Sequence, residues 1–547
     1  MVDLVLVPAP LGDLHEDVEL QHLFLRSAGP AGGPVSTTGD ILPQNVPERA
    51  VERGEIVAQR DLDHNRASLV GWVSAALALL LVVGVVGWQL GWLDRFLDGD
   101  GDRPVDPAAI APPSEVDVPP VRRPRPVAPP ADGSVRLDPA AVQAAITGYL
   151  RDRDLGRNVL AAVAPLEGAF DGFSYGSSTA RLAIPASTTK IVTSAVALYL
   201  LGPDRVFETR TVLESGGGTP RLVLVGGGDP FLLSSPKAQW GTSTAATFAA
   251  PKSDVVALAR QTARSLRADG VRRVRLGYDD SLFSGPTENP HWRPDYVPDD
   301  IVSPITSLWV DEGRDPIGYG RVADPSLTAA QVFSNALSAA GVSIVGSPTA
   351  TVAEGGAPEM AAVASAPLAQ IVQRIIEVSD NEASEVLLRH IGIAEQGEGS
   401  FSGGQRGVER ALAANDIEMR GSVLYDGSGL SRENQMSPQL LLDVIRWAAS
   451  DDQPDLRSVI TSLPVAGFTG SLADRFDQAA AEGPGRVRAK TGTLTGVTSL
   501  AGIAVDIDGS LLVFAMLADK VRRNRAELAE VAMDNAAGAL GACHCAR

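Results

Sequence analysis

Lysine is scarce in this chain of 547 residues, where only five of the 47 lysine and arginine residues are lysines. Arginine stays protonated in proteins, so it supplies positive charge but not an amine that can give up its proton. A chain that uses arginine almost everywhere has a chemical reason to keep a lysine. Lys190 and Lys490, which lie in distinctive stretches, are therefore candidates for chemistry.

Cysteine and histidine are also rare. The two cysteines, Cys543 and Cys545, flank His544 near the C-terminal end, and the other histidines show no ligand spacing. Because a metal site needs three or four ligands, the sequence predicts no metal. Two cysteines make no disulfide framework either. They form one bridge outside the cell or have no role, and we favour the second interpretation.

Basic tracts are missing as well, and the formal net charge is -19. Nothing in the sequence could neutralise a row of phosphates, which argues against nucleic acid as a partner. The length exceeds that of one ordinary domain and predicts two or three.

What the chain does have is a long uncharged run, residues 191–201, directly after Ser187 and Lys190. Pro185 suits the start of a helix and Gly202 its end. Ser187 and Lys190 are three residues apart and therefore share one face of the first helical turn. A hydroxyl beside an amine can act as a nucleophile with its base.

Ser-x-x-Lys alone is a weak pattern, because a short motif without structural context is only a hypothesis. A second copy begins at Ser234, but Pro236 lies inside it and no apolar helix follows. Since proline disrupts a helical turn, we predict that Lys237 is a surface amine.

A second candidate stretch is Lys490-Thr491-Gly492-Thr493. It precedes the apolar runs 499–505 and 511–516, which the turn residues Asp508-Gly509 separate. This pattern predicts an antiparallel hairpin. Gly492 could leave a strand edge open to the backbone of a ligand. The plain alternative is a strand end that carries a solvated lysine.

The third stretch, Ser379-Asp380-Asn381, follows a helical pattern over 368–378 and precedes another over 382–390. Taken by itself, it is typical of a helix cap.

Ser-x-x-Lys, Ser-x-Asn and Lys-Thr-Gly in this order are the set found in class A β-lactamases and penicillin-binding proteins. With them, the chain resembles the penicillin-recognising serine enzymes. Four further stretches make it similar to the D-alanyl-D-alanine carboxypeptidase/endopeptidase group, the low-molecular-mass class C penicillin-binding proteins (peptidase S13-like). They are 224–230, 279–283, 426–432 and 463–467. The similarity runs from about residue 134 to the C-terminus.

The resemblance implies an α/β (α+β) fold of the penicillin-binding-protein/β-lactamase type, with an antiparallel sheet flanked by helices. The 188 residues between Lys190 and Ser379 are more than such a catalytic domain needs. We therefore expect a strand-rich accessory region inserted at 213–310, between catalytic parts 134–212 and 311–547. A last helix, at about 523–540, should pack on the sheet.

The resemblance also implies a reaction on the D-Ala-D-Ala end of peptidoglycan stem peptides, without any cofactor. Ser187 attacks the peptide carbonyl and becomes acylated, while a neutral Lys190 takes its proton. Ser379 relays that proton to the leaving amine, and Lys490 supports the relay electrostatically. β-Lactam antibiotics are expected to acylate Ser187 as inhibitors.

Substrate binding is implied for the remaining motif residues. Asn381 holds the substrate amide, and Thr491 and Thr493, on either side of Gly492, meet the terminal carboxylate. Backbone N–H groups of Ser187 and Thr493 are the expected oxyanion donors.

Two alternatives stay open at this point. A class A β-lactamase would carry Glu-x-x-Leu-Asn between the second and third motifs, and the nearest stretch, 409–413, lacks the asparagine. A catalytically silent wall-binding protein would have little use for the intact motif residues.

The N-terminal part is organised around residues 67–93, which carry no charge and hold three tryptophans near their ends. This pattern predicts a transmembrane helix over about 69–88, with a cleaved signal peptide as the alternative. Residues 1–66 are predicted to be disordered, and 94–133 form a proline-rich linker. More arginines precede the apolar run than follow it. The prediction is a single-pass protein of the cell membrane with a cytoplasmic N-terminus and an extracytoplasmic catalytic body.

Overall fold

The computed structural model describes residues 136–545, except for 168–171, 177–180, 216–217, 239–252, 316–318 and 478–482. The expected transmembrane helix and linker lie outside these residues. Within them, no helix is both long enough and apolar enough to cross a membrane.

The described residues form ten α-helices and eleven β-strands. The helices are α1 (Pro139–Leu150), α2 (Thr189–Leu201), α3 (Val255–Ala268), α4 (Pro325–Ala339), α5 (Leu368–Val378), α6 (Asn381–Gln396), α7 (Phe401–Ala414), α8 (Pro438–Ala449), α9 (Arg457–Thr461) and α10 (Ala526–Ala542). The strands are β1 (Val159–Pro165), β2 (Phe173–Tyr175), β3 (Glu208–Glu214), β4 (Arg221–Val225), β5 (Arg273–Asp279), β6 (Ser343–Ile344), β7 (Thr349–Ala350), β8 (Glu359–Ala364), β9 (Val487–Leu494), β10 (Val497–Val505) and β11 (Leu511–Ala518).

A five-stranded antiparallel sheet, in the order β2-β1-β11-β10-β9, lies at the centre of the catalytic part. Side chains alternate along its strands: Leu160 and Ala162 join the core that holds α2, whereas Ala161 and Val163 join the core that holds α1 and α10. Both faces of the sheet are therefore covered, which explains the nearly unbroken apolar runs of β10 and β11. The hairpin predicted between them is confirmed, with Val505 opposite Leu511.

A second, six-stranded sheet has the order β6-β5-β4-β3-β8, with β7 also paired to β5. Helices α3 and α4 pack against it in a separate apolar core. This layer runs from Glu208 to Ala364 and so extends beyond both expected limits, 213 and 310. The sequence signal is weak there, because β6 and β7 have two residues each and β8 is rich in alanine.

The C-terminal helix α10 begins and ends slightly later than expected and packs on the sheet beside α1. Cys543 and Cys545 form a disulfide, with their Cα atoms 5.2 Å apart. The expectation that they have no role is corrected accordingly: the Cα separation suits a bridge. The carbonyl of Cys545 also accepts a hydrogen bond from the Asp138 backbone N–H at 2.7 Å.

Candidate active site

Ser187 lies in a 3-10 turn, Ala186–Thr188, that leads directly into α2. The turn is strained, because Ala186 has a φ of 47°, a value that residues with a Cβ rarely adopt. Two glycines press against it: a Cβ at Gly429 would come 1.9 Å from the Ala186 carbonyl oxygen, and one at Gly492 would come 2.9 Å from the Ser187 nitrogen. Gly492 thus lets β9 approach the turn that carries Ser187.

Lys190 is fully buried in the first turn of α2. Its Nζ lies 2.9 Å from Ser187 Oγ, 2.8 Å from Asn381 Oδ1 and 2.8 Å from the Ser428 carbonyl oxygen. The orientation of the Asn381 amide follows from its Nδ2, which donates to the Ile301 carbonyl at 3.3 Å. Two of the three partners of Nζ can therefore only accept. A neutral amine has two donors and one lone pair, so the Ser187 hydroxyl can donate to it.

The Ser379–Asn381 turn joins α5 to α6. Ser379 is left-handed, with φ 64° and ψ 42°, and Asp380 caps α6 by accepting from the Ala383 N–H at 3.0 Å. The cap predicted from the sequence is therefore present. Asn381, the first residue of α6, also accepts a hydrogen bond from Lys190. Among the described residues, the Ser379 hydroxyl has no hydrogen-bond partner.

Lys490 lies on β9, at the edge of the five-stranded sheet. The plain alternative of a strand end with a solvated lysine is excluded, because Lys490 is fully buried and its Nζ donates to the Thr491 carbonyl at 2.8 Å. Burial, followed by the nearby charge of Lys190, lowers the pKa of Lys490 well below its ordinary value. The two lysines of the sequence motifs thus meet in one buried place.

The hydroxyls of Thr491 and Thr493, on either side of Gly492, already have protein partners. Thr491 Oγ1 lies 2.9 Å from Ser471 Oγ, and Thr493 Oγ1 lies 3.0 Å from a carboxylate oxygen of Glu530. A substrate carboxylate at Thr493 therefore requires this hydroxyl to change its partner.

The stretch 426–432, quoted above for the resemblance, places the Ser428 carbonyl on Lys190, and sequence reasoning missed this contact and Glu385 beneath it. Glu385, one turn after Asn381 on α6, accepts from the Ser428 N–H at 2.7 Å and from the Gly427 N–H at 3.1 Å. Burial, together with the neighbouring Asp426, raises the pKa of Glu385 to about 8. The sequence signal that could have indicated Glu385 was its position, four residues after Asn381 on the same buried helix.

The stretch 224–230, quoted above for the resemblance, packs between the two layers. A Cβ at Gly227 would come 1.9 Å from the Glu208 carbonyl oxygen, and one at Gly228 would come 2.4 Å from His390 Nε2. Its glycines therefore allow close packing. The second Ser-x-x-Lys copy, 234–237, lies in a bend and turn, and Lys237 is exposed.

A cavity of about 370 Å³ lies beyond the end of β9. It is lined by three arginines together with residues of the β9–β10 turn and the chain after β11: Arg293, Arg432, Arg523, Thr495, Gly496, Asp519 and Val521. Arg432 donates to the Thr495 carbonyl at 2.9 Å and so fixes one wall of the cavity.

A half-buried serine beside a buried lysine, an asparagine at a helix start and a second buried lysine on an edge strand together define a penicillin-recognising serine hydrolase. The fold agrees: the solved structure of penicillin-binding protein 4 (dacB) from Haemophilus influenzae superposes with a TM-score of 0.57 at 18% identity, covering 72% of this chain and 98% of that one.

The family model of the D-Ala-D-Ala carboxypeptidase 3 (S13) family matches residues 142–319 and 316–540, and the chain belongs to this family. A carboxypeptidase of Mycobacterium tuberculosis is 35% identical over 433 residues, covering 77% of this chain and 87% of that protein. Carboxypeptidase DacB of Mycolicibacterium smegmatis is 34% identical over 367 residues, covering 66% and 76%. The protein is thus a hydrolase, a serine-type D-Ala-D-Ala carboxypeptidase.

Proposed function

We propose that the reaction passes through an acyl-enzyme on Ser187, with Lys190 as its base. The observation that carries this proposal is the set of contacts around Lys190 Nζ. Asn381 Oδ1 and the Ser428 carbonyl take its two N–H donors and leave its lone pair for the Ser187 hydroxyl, 2.9 Å away. A base in this position contributes about 10²- to 10⁴-fold to the rate.

In the acylation step, Ser187 Oγ bonds to the carbonyl carbon of the penultimate D-Ala, and its proton passes to Lys190. The backbone N–H groups of Ser187 and Thr493 stabilise the negative oxygen. The close approach of Gly492 to the Ser187 nitrogen supports this pair of donors. One such donor is worth about 3 to 4 kcal/mol in the transition state.

The leaving D-Ala amine then takes a proton through Ser379, whose hydroxyl has no other hydrogen-bond partner among the described residues. Lys490, buried near Lys190, is assigned the electrostatic support of this transfer. Water finally attacks the ester carbonyl, which releases the shortened peptide and returns the proton to Ser187.

For the substrate we propose a peptidoglycan stem peptide that lies along the open edge of β9. Asn381 holds its amide, and Thr491 and Thr493 bind its terminal carboxylate once the Thr493 hydroxyl leaves Glu530. The arginine-lined cavity at the end of the same strand suits a further carboxylate of the stem. A crosslinked stem peptide that presents the same D-Ala bond would make the enzyme an endopeptidase as well.

β-Lactams carry a strained amide, so Ser187 should open their ring and keep the product as an ester. The related penicillin-binding protein 4 of Haemophilus influenzae has a solved structure titled as a complex with a β-lactam. Rapid turnover of the ester would favour the β-lactamase alternative. The absence of any covalent adduct would favour the silent wall-binding alternative.

The experiment that tests the proposed function incubates purified protein with a defined pentapeptide, from which it measures released D-Ala, and with a crosslinked muropeptide, from which it measures released monomers. We expect release from the pentapeptide at least, and none with Ser187→Ala. Release that persists in Ser187→Ala would overturn the assignment of the nucleophile.

We further propose that residues 67–93 anchor the protein in the cell membrane, with residues 1–66 in the cytoplasm and the catalytic part outside. The uncharged run and the arginines that precede it support this arrangement. Expressed in a bacterial host, the full chain should remain in the membrane fraction after a high-salt wash and be digested by protease added to spheroplasts. Recovery in the wash would contradict the anchor.

A further inference from the structure

Helix α10 places a carboxylate against the strand that carries Lys490 and Thr493. Glu530, on this helix, accepts a hydrogen bond from Thr493 Oγ1 on β9 at 3.0 Å. No step of the reaction proposed above uses Glu530. Its carboxylate nevertheless lies at the hydroxyl that is proposed to bind the terminal carboxylate of the substrate.

Glu530 is held in this position by Arg475. Its Oε2 lies 3.2 Å from Arg475 Nη1, and its backbone carbonyl accepts from Arg475 Nη2 at 3.3 Å. Arg475 is fixed in turn by two hydrogen bonds to the carboxylate of Asp534, each of 2.8 Å. The side chains of these three residues are at most 21% exposed. The Glu530 carboxylate is therefore held through both of its oxygens, by Thr493 and by Arg475.

The partner of Thr493 differs in kind from the partner of Thr491. Thr491 Oγ1 lies 2.9 Å from the hydroxyl oxygen of Ser471. A hydroxyl both donates and accepts, so Ser471 can donate to Thr491 and leave the Thr491 proton for a ligand. A carboxylate only accepts. The single proton of the Thr493 hydroxyl is therefore committed to Glu530 as long as this contact is made.

The charges around Thr493 also oppose an anionic ligand. Glu530 and Asp534 share one arginine, Arg475, so the three groups carry one net negative charge when all are ionised. A ligand carboxylate that accepts from the same hydroxyl would have an oxygen within about 6 Å of the Glu530 carboxylate, because a hydrogen bond joins heavy atoms about 3 Å apart. Like charges at that distance repel each other.

We propose that Glu530 is a specificity-determining residue, which competes with the terminal carboxylate of the substrate for the Thr493 hydroxyl and so weakens the binding of ligands that carry this group. This inference rests on the proposed function, in which Thr493 binds that carboxylate. A ligand that takes the hydroxyl from Glu530 exchanges one charge-assisted hydrogen bond for another and gains little from it. Without the charge of Glu530, the same contact would add to the affinity.

The test replaces Glu530 by glutamine, which has the same shape and no charge. The amide still accepts from Thr493, but a hydrogen bond to a neutral acceptor is about half as strong as one to a carboxylate. Arg475 keeps its two hydrogen bonds to Asp534, so its buried charge stays paired. We expect benzylpenicillin, which carries a carboxylate, to acylate Glu530→Gln about 5-fold faster than the unchanged protein.

With the pentapeptide, the gain in Glu530→Gln should appear as a lower KM at an unchanged kcat. The carboxylate contact is made equally in the bound substrate and in the transition state, so it changes binding rather than the chemical step. If Glu530 only supported the structure, its replacement would leave the rate unchanged or lower it. A gain in rate is therefore a readout that a structural role does not produce.

Two further comparisons make the test specific. Thr493→Val removes the hydroxyl for which the two carboxylates compete, so adding Glu530→Gln to Thr493→Val should raise the acylation rate about 2-fold at most. Glu527 is exposed and lies one turn earlier on α10. Glu527→Gln removes the same charge and should leave the rate unchanged.

Glu530→Gln acylated no faster than the unchanged protein would overturn the inference, as would an equal gain in Glu527→Gln or in the Thr493→Val background. An unchanged protein that benzylpenicillin fails to acylate would instead contradict the proposed function. Thr493→Val acylated as fast as the unchanged protein would contradict the role proposed for Thr493. The failures are therefore distinguishable.

Discussion

Lys190 and Lys490 are both fully buried, and burial, followed by the charge of the nearby Lys190, lowers the pKa of Lys490. Two positive charges in one buried place repel each other, which favours a neutral amine. Because arginine stays protonated, it could not replace lysine in either position. This relationship explains why a chain so poor in lysine keeps these two.

Replacing Lys190 by methionine should slow acylation by benzylpenicillin about 10²- to 10⁴-fold, because the side chain keeps its length but no base remains. Lys190→Arg should be equally slow. Stopped-flow measurement of the second-order acylation rate checks this. Lys237, the exposed lysine of the second Ser-x-x-Lys copy, is the matched control, and Lys237→Met should react like the unchanged protein. Near-normal acylation of Lys190→Met would rule out its role as base.

Gly429→Ala should displace the turn that carries Ser187. Gly429 has a φ of 88°, and its Cβ would come 1.9 Å from the Ala186 carbonyl oxygen. Gly509 has a φ of 87° but open space around it, so Gly509→Ala carries the conformational cost alone. Gly509→Ala should lose about 1 to 2 kcal/mol in the free energy of unfolding, and Gly429→Ala should lose more because its Cβ also meets the Ala186 carbonyl; urea denaturation measures both. Only Gly429→Ala should also be acylated more slowly by benzylpenicillin, by at least about 10-fold. Equal acylation rates in both variants would contradict the claim that Gly429 packs against the turn of Ser187.

The elements that the sequence predicted well have local signals. Helix α2 lies between Pro185 and Gly202 and is uncharged after Lys190, and α5 shows a helical period over 368–378. The β10–β11 hairpin has its Asp508-Gly509 turn. In each case the pattern of neighbouring residues is sufficient.

The contacts that complete the site have no local signal. Glu385 and Ser428 are 43 residues apart, and their hydrogen bond depends on how α6 packs against the loop after α7. Asn381 likewise donates to the Ile301 carbonyl, 80 residues away in the chain. The short strands β6 and β7 pair only because β5 is already in place. Long-range packing determines such features. Sequence reasoning therefore identified the motifs but not the contacts from distant residues that hold them in place.

Asn381→Asp should slow acylation more than Asn381→Ala does. A carboxylate 2.8 Å from Lys190 Nζ would hold the ammonium form, which cannot accept the Ser187 proton. Alanine only removes one acceptor and leaves the Ile301 carbonyl unpaired, at a cost of about 1 to 3 kcal/mol in stability. Acylation rates at neutral pH check the order. Asn415→Asp, at the residue that follows α7, is the control. Faster acylation of Asn381→Asp than of Asn381→Ala would contradict the account in which Lys190 accepts the proton as a neutral amine.

Stability should depend on pH through Glu385. Its pKa rises from 4.5 to about 8 on folding, so between these values the folded protein keeps a proton that the unfolded chain has lost. This group therefore makes the free energy of unfolding fall as the pH rises from 4.5 to 8, and its effect is constant above that range. Glu385→Gln removes the titration. Between pH 5 and pH 8, the melting temperature should decrease less for Glu385→Gln than for the unchanged protein. Glu418 is exposed and provides the control, so Glu418→Gln should match the unchanged protein. An equal or larger decrease for Glu385→Gln would contradict the prediction that Glu385 keeps its proton in the folded protein.

Intact-mass spectrometry after incubation with benzylpenicillin tests the central claim most directly. The account predicts one penicilloyl group per chain, recovered on the peptide that contains Ser187 and absent from Ser187→Ala, while Ser379→Ala still accumulates an adduct on Ser187 at a lower rate. An adduct on any other residue, or one that forms equally well in Ser187→Ala, would contradict it.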